Sequence, residues 1–126
     1  MEPIEKQKII VVDDHDYSRQ SLVAFLREVP GIDVLGEASD GIEAVKTAER
    51  LSPDVVVMDI RMPGQSGIEA ARKIRQKVPS TKVILYSMYG GEFYTRQDLS
   101  IADRFIPKER LFEEILGALS ELEPGE

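Results

Sequence analysis

Polar side chains stand where apolar runs stop. "IIVV" (Ile9 to Val12) runs into Asp13 and Asp14, and "VVVM" (Val55 to Met58) runs into Asp59. "KVILYS" closes on Ser87, and "RFIP" is followed by Lys108. If the first and third of these runs are neighbouring strands, three carboxylates crowd together. Crowded carboxylates raise one another's pKa unless a cation sits among them. A hard divalent ion such as Mg²⁺, which takes oxygen ligands and favours one or two carboxylates plus a phosphate, suits such a cluster. Lys108 adds a second positive charge and Ser87 a hydroxyl that can bond an anion oxygen. The set suits transfer of a phosphoryl group to a carboxylate, with an Asp as nucleophile and the cations neutralising the transferred oxygens.

The elements that must position these groups follow from hydropathy patterning. The three long runs are short, uninterrupted and rich in β-branched residues, as strands buried on both faces are. "IDVLGEA" reads as a less apolar strand and "RFIPK" as a short one. Between them lie helical periods. Leu22, Phe25, Leu26 and Val29 form one apolar face, and Ile42, Val45 and Ala48 form a second after Asp40-Gly41. Ile68, Ala71, Ile74 and Val78 form a third, with Ser66 as N-cap and Pro79 beyond its end. Leu111, Ile115, Leu119 and Leu122 line the last helix, and Phe112 and Leu116 widen its apolar face. The stretch from Gly90 to Ser100 reads as the weakest helix, since it opens on two glycines and carries few apolar residues. Five β-α units imply a parallel sheet with right-handed crossovers. In such sheets ligands bind beyond the carboxyl ends of the strands, where all the polar groups above fall.

Length and composition bound the rest. The 126 residues fit one domain, with a core over about 8–122 and loose tails at 1–7 and 123–126. A formal charge of -7 argues against direct nucleic-acid binding by this segment. The chain has no cysteine, which excludes disulfides and thiolate metal sites. "MEPIEKQK" has no apolar signal region, and no run approaches the roughly 18 apolar residues of a membrane span. A soluble cytoplasmic domain without membrane contact is expected.

The motifs "VVDDH", "VVVMDIRMPG", the hydroxyl of "YSM" and the lysine of "FIPK" resemble the receiver domain of two-component response regulators. The resemblance runs from about Lys8 to Leu122. It implies a flavodoxin-like, doubly wound sheet in the order 2-1-3-4-5, with two helices on one face and three on the other. It implies Asp59 as phosphoacceptor, charged by a histidine kinase or phosphotransfer protein. Mg²⁺ would rest on Asp14, Asp59 and the Arg61 carbonyl, with Asp13 nearby through water. Ser87 and Lys108 would contact the phosphoryl group, and Ser87 and Phe105 would form the switch. Output, including a possible homodimer, would pass through the face made by helix four, strand five and helix five. "DDH", "GEASDG" and "DIRMPGQSGIEAARKIR" are similar to the subfamily that carries a C-terminal helix-turn-helix DNA-binding domain, whereas here the last helix is followed by "EPGE". The chain departs from the family pattern in a shorter stretch between Ser87 and Lys108, in "SIAD" before strand five, and in Glu109 in place of a proline.

Rival readings fit less well. A flavin-binding domain of this topology wants a Ser/Thr/Gly-rich phosphate loop after strand one, where this chain has two acids. A dehalogenase-type phosphatase wants a general acid two residues after its nucleophile, where this chain has Arg61. A pseudo-receiver that never takes phosphate would lack part of the set. His15, the one histidine, is expected to be exposed or a loop contact and not a ligand. Tyr86, Tyr89 and Tyr94 suggest a partly aromatic surface near helix four.

Overall fold

The computed structural model describes residues 5–123; the remainder of the expected tails lies outside them. In chain order the elements are β1 (Gln7–Val12), α1 (Asp16–Arg27), β2 (Ile32–Ala38), α2 (Gly41–Leu51), β3 (Val55–Asp59), α3 (Gly67–Lys77), β4 (Lys82–Ser87), α4 (Arg96–Leu99), β5 (Arg104–Pro107) and α5 (Leu111–Glu121). Short 3₁₀ turns cover Gly91–Phe93 and Lys108–Arg110. The strands form one parallel sheet in the order β2-β1-β3-β4-β5.

Alternation along the buried strands builds two cores. Ile9 and Val11 of β1, Val55 and Val57 of β3, and Ile84 and Tyr86 of β4 face Leu22 and Leu26 of α1 and Ile115 and Leu119 of α5. Ile10, Val12, Val56, Met58, Val83 and Leu85 face the other way, against α2 and α3, with Tyr94, Leu99 and Phe105 packed on their margin. Both faces of β3 are therefore covered, which is why its sequence runs apolar without a break. Two helices lie on one face and three on the other.

Local signals set the helix starts. The Asp40 carboxylate accepts the Glu43 N–H at 2.8 Å, and the Ser66 hydroxyl accepts the Glu69 N–H at 3.3 Å. Several expectations shift. Ile42, expected on the inner face of α2, is 57 % exposed. It sits in the first turn of α2 and lines an open surface cleft with Asp40 and Gly64. Val29 follows the end of α1, its N–H bonded back to Leu26 O at 3.1 Å. Gln7, expected in a loose tail, opens β1 and is buried, its Nε2 donating to Leu119 O at 2.9 Å. The stretch from Gly90 to Ser100 is as weak as its composition suggests: a 3₁₀ turn, then a helix of four residues capped by Thr95. Among the described residues there is no cis peptide bond, so the Lys108–Glu109 bond is trans. No helix among them is long and apolar enough to cross a membrane.

Candidate functional site

Strand register carries each polar residue to the same edge. Val12 pairs with Met58, so Asp13 and Asp14 leave β1 beside Asp59 at the end of β3. Asp59 pairs with Tyr86, which places Ser87 one step further along β4. Ser87 in turn pairs with Pro107, so Lys108 follows at the end of β5.

The turn after β3 clears this edge. Gly64 adopts φ +77°, the left-handed region that glycine occupies without strain. The chain then doubles back so closely that a Cβ on Gly67 would stand 2.3 Å from Asp59 O, and the Gly67 N–H bonds to Ile60 O at 2.8 Å. Asp59 thus ends a fully covered strand and is itself only 4 % exposed.

Ligand atoms of Asp13, Asp14, His15 and Asp59 all lie within 4.8 Å of one another. Asp59 Oδ1 accepts the Arg61 N–H at 3.1 Å. Burial first, and then the charge of Asp13, pushes the Asp59 carboxyl up to about 6; the Arg61 N–H and Lys108 pull the other way. Asp13 is fully buried and doubly engaged: Oδ1 accepts the His15 N–H at 2.8 Å, and Oδ2 accepts the Tyr86 hydroxyl at 2.6 Å. Burial and then Asp13 hold the Tyr86 proton in place, raising that phenol well above its usual range. Lys108 Nζ lies 3.9 Å from Asp13 Oδ2 and donates to Ser18 Oγ at 3.0 Å. Ser87 Oγ accepts the Tyr89 N–H at 3.1 Å and lies 2.7 Å from Tyr94 Oη.

Asp14 Oδ1 differs from its neighbours. It is buried and has no hydrogen-bond partner among the described residues; His15 Nδ1 approaches to 3.2 Å without hydrogen-bond alignment. A buried carboxylate oxygen left unpaired is costly, and a cation beside it removes the cost. Donors here are carboxylate oxygens on one small volume, the set a hard, oxygen-seeking ion such as Mg²⁺ takes. Asp13, Asp14 and Asp59 therefore fit the ion expected from the sequence.

The structure brings Asp13, Asp14, Asp59, Ser87 and Lys108 to this edge. Arg61 is exposed, with its guanidinium 4.6 Å from the centre of the Tyr89 ring. Phe105 is half-buried, its ring 6.2 Å from Tyr94 in an edge-on arrangement. His15 is mostly exposed yet stands against both acids.

Three partners escape a sequence reading: Ser18, Tyr86 and Tyr94. Tyr86 corrects the expectation of a surface tyrosine, being 1 % exposed within the sheet. The signal for it was present. In a strand buried on both faces a tyrosine must point inward, and its hydroxyl then needs a partner.

The response regulator receiver domain family model matches residues 9–120. Response regulator GacA of Pseudomonas aeruginosa is 36 % identical over 94 % of this chain and 56 % of its own length. The nitrate/nitrite response regulator protein NarL of Escherichia coli K12 is 33 % identical over 97 % of this chain and 57 % of its own. This chain thus spans a little over half the length of these relatives. Among solved structures, the response regulator domain of Thermotoga maritima CheB superposes with a TM-score of 0.86 at 32 % identity, covering 97 % of this chain and 100 % of that one. The chain belongs to the response regulator receiver domain family, the signal-receiving module of two-component systems.

Proposed function

We propose that Asp59 is the phosphoacceptor of this receiver domain, charged from the phosphohistidine of a histidine kinase or phosphotransfer protein. The observation that carries the reading is the gathering of Asp13, Asp14 and Asp59 around one point, with the Lys108 ammonium beside them. An Asp59 carboxylate oxygen attacks phosphorus as the P–N bond to the donor imidazole breaks. The imidazole keeps the electron pair and takes a proton. Asp14 and Asp59, with Asp13 behind them and the Arg61 carbonyl, would hold Mg²⁺, whose charge offsets that of the acids and of the phosphoryl oxygens. Lys108 exchanges Ser18 for a phosphoryl oxygen, and the Ser87 hydroxyl binds another. The domain assists only its own phosphorylation and dephosphorylation.

Output runs through Ser87, Phe105 and the segment leading into α4, and then to the face of α4, β5 and α5, where Leu116 is exposed and a second copy would dock. Phe112 leans instead on Phe25 of α1, with ring centres 5.2 Å apart. Hydrogen exchange with and without beryllofluoride tests the route: changed protection is expected between residues 88 and 114, and changes confined to the metal loops contradict it.

Acetyl phosphate with Mg²⁺, read by intact mass, tests the assignment itself. One phosphoryl group per chain is expected, lost when a chelator is present. A chain that gains nothing is a pseudo-receiver, a binding module of the same fold.

A further inference from the structure

Ser87 is fully buried, and a serine hydroxyl has one proton to donate and two lone pairs. One lone pair receives the Tyr89 N–H at 3.1 Å. Among the described residues, Tyr94 Oη at 2.7 Å is the one acceptor within reach of the Ser87 proton. By distance alone either hydroxyl can be the donor, but with the Tyr89 N–H on one Ser87 lone pair, the arrangement that leaves no buried Ser87 proton unpaired has Ser87 donating and Tyr94 accepting. Tyr94 is half-buried.

Tyr94 stands on backbone that is inexpensive to move. It joins the 3₁₀ turn Gly91–Phe93 to the four-residue α4, and its N–H bonds to Gly91 O at 3.1 Å. A helix that short has little stability of its own. The ring meets Phe105 edge-on.

We propose that Tyr94 is a positioning residue that holds the Ser87 hydroxyl in its resting place and so sets how readily the site takes up a phosphoryl group. The inference rests on the phosphoacceptor reading above. Ser87 has a single proton, which cannot bond Tyr94 Oη and a phosphoryl oxygen together. When the anion arrives, that hydrogen bond passes from Tyr94 to the phosphoryl oxygen, and no covalent bond changes. Tyr94 then loses its tie to β4, and Phe105 loses a fixed neighbour. One hydrogen bond thus links the acceptor site to α4.

Beryllofluoride in the presence of Mg²⁺ serves as the probe, titrated by calorimetry into the parent, Tyr94→Phe, Ser87→Ala and the double variant. Tyr94→Phe keeps the ring and removes the hydroxyl. It should bind beryllofluoride about fivefold tighter, the worth of one ordinary hydrogen bond. Its affinity for Mg²⁺ alone should equal the parent's, and the gain should vanish when Ser87→Ala is present in both members of the comparison. Unchanged or weaker binding by Tyr94→Phe overturns the proposal, as does a gain that persists without Ser87. A parent that binds no beryllofluoride overturns the phosphoacceptor reading and this inference with it, whereas tight parent binding with no gain overturns this inference alone.

Discussion

The Tyr86 hydroxyl donates to Asp13 Oδ2 across 2.6 Å, deep between β4 and β1, with neither side chain more than 1 % exposed. The other Asp13 oxygen accepts the His15 N–H. Asp13 is thereby held by the protein, while Asp14 Oδ1 has no hydrogen-bond partner among the described residues. The two adjacent acids are chemically unequal for this reason.

That inequality predicts their metal affinities. Asp14→Ala removes the free oxygen and should weaken Mg²⁺ binding roughly 100-fold. Asp13→Ala removes a supporting acid and should cost about 10-fold. Mg²⁺ titrations of both variants decide the matter, and a larger loss for Asp13→Ala reverses the assignment.

The raised Asp59 carboxyl predicts a pH dependence of the metal-free protein. Its folded-state value is about 6 against an ordinary 3.8. Between those values the folded chain holds more protons at this site than the unfolded chain, so its contribution to stability falls as pH rises through the window and stays low above it. Asp59→Asn removes that cost. With a chelator present it should exceed the parent in stability at pH 7 by about 1–3 kcal/mol. The gap should close as the pH approaches 4. Thermal melts across this range measure it, and an Asp59→Asn variant less stable than the parent at pH 7 contradicts the electrostatic account.

Gly67 predicts a site that depends on one missing methyl group. A Cβ there would lie 2.3 Å from Asp59 O and 2.9 Å from Ile60 Cα, and backbone atoms cannot step aside as a side-chain tip can. Gly67→Ala should destabilise the domain by about 1–3 kcal/mol, the usual cost of overpacking. It should also weaken Mg²⁺ binding by displacing the end of β3. Melts and a metal titration check both, and a variant as stable as the parent would show that the close approach relaxes freely.

Much of this was legible in the sequence because burial on two faces leaves a plain mark. The runs ending at Val12, Met58 and Ser87 are apolar without alternation, so the strands and their carboxyl ends could be placed. Asp13, Asp14, Asp59 and Ser87 followed from those ends, and Lys108 from the end of the short run "RFIP". What resisted reading depends on contacts between distant segments. Lys108 meets Ser18 across 90 positions, and Gln7 meets Leu119 across 112. No local period encodes either pairing. Ile42 has the right spacing for the inner face of α2, but helical period does not tell that the first turn borders an open cleft. Tyr94 was ambiguous for a further reason: the short α4 sets no repeat from which an inward residue could be counted.

The central claim is that Asp59 alone receives the phosphoryl group. Intact mass of the parent and of Asp59→Asn, each incubated with acetyl phosphate and Mg²⁺, tests it most directly. The parent should gain ~80 Da as a covalent carboxylate adduct. Asp59→Asn should gain nothing, and undiminished labelling of that variant would contradict the account.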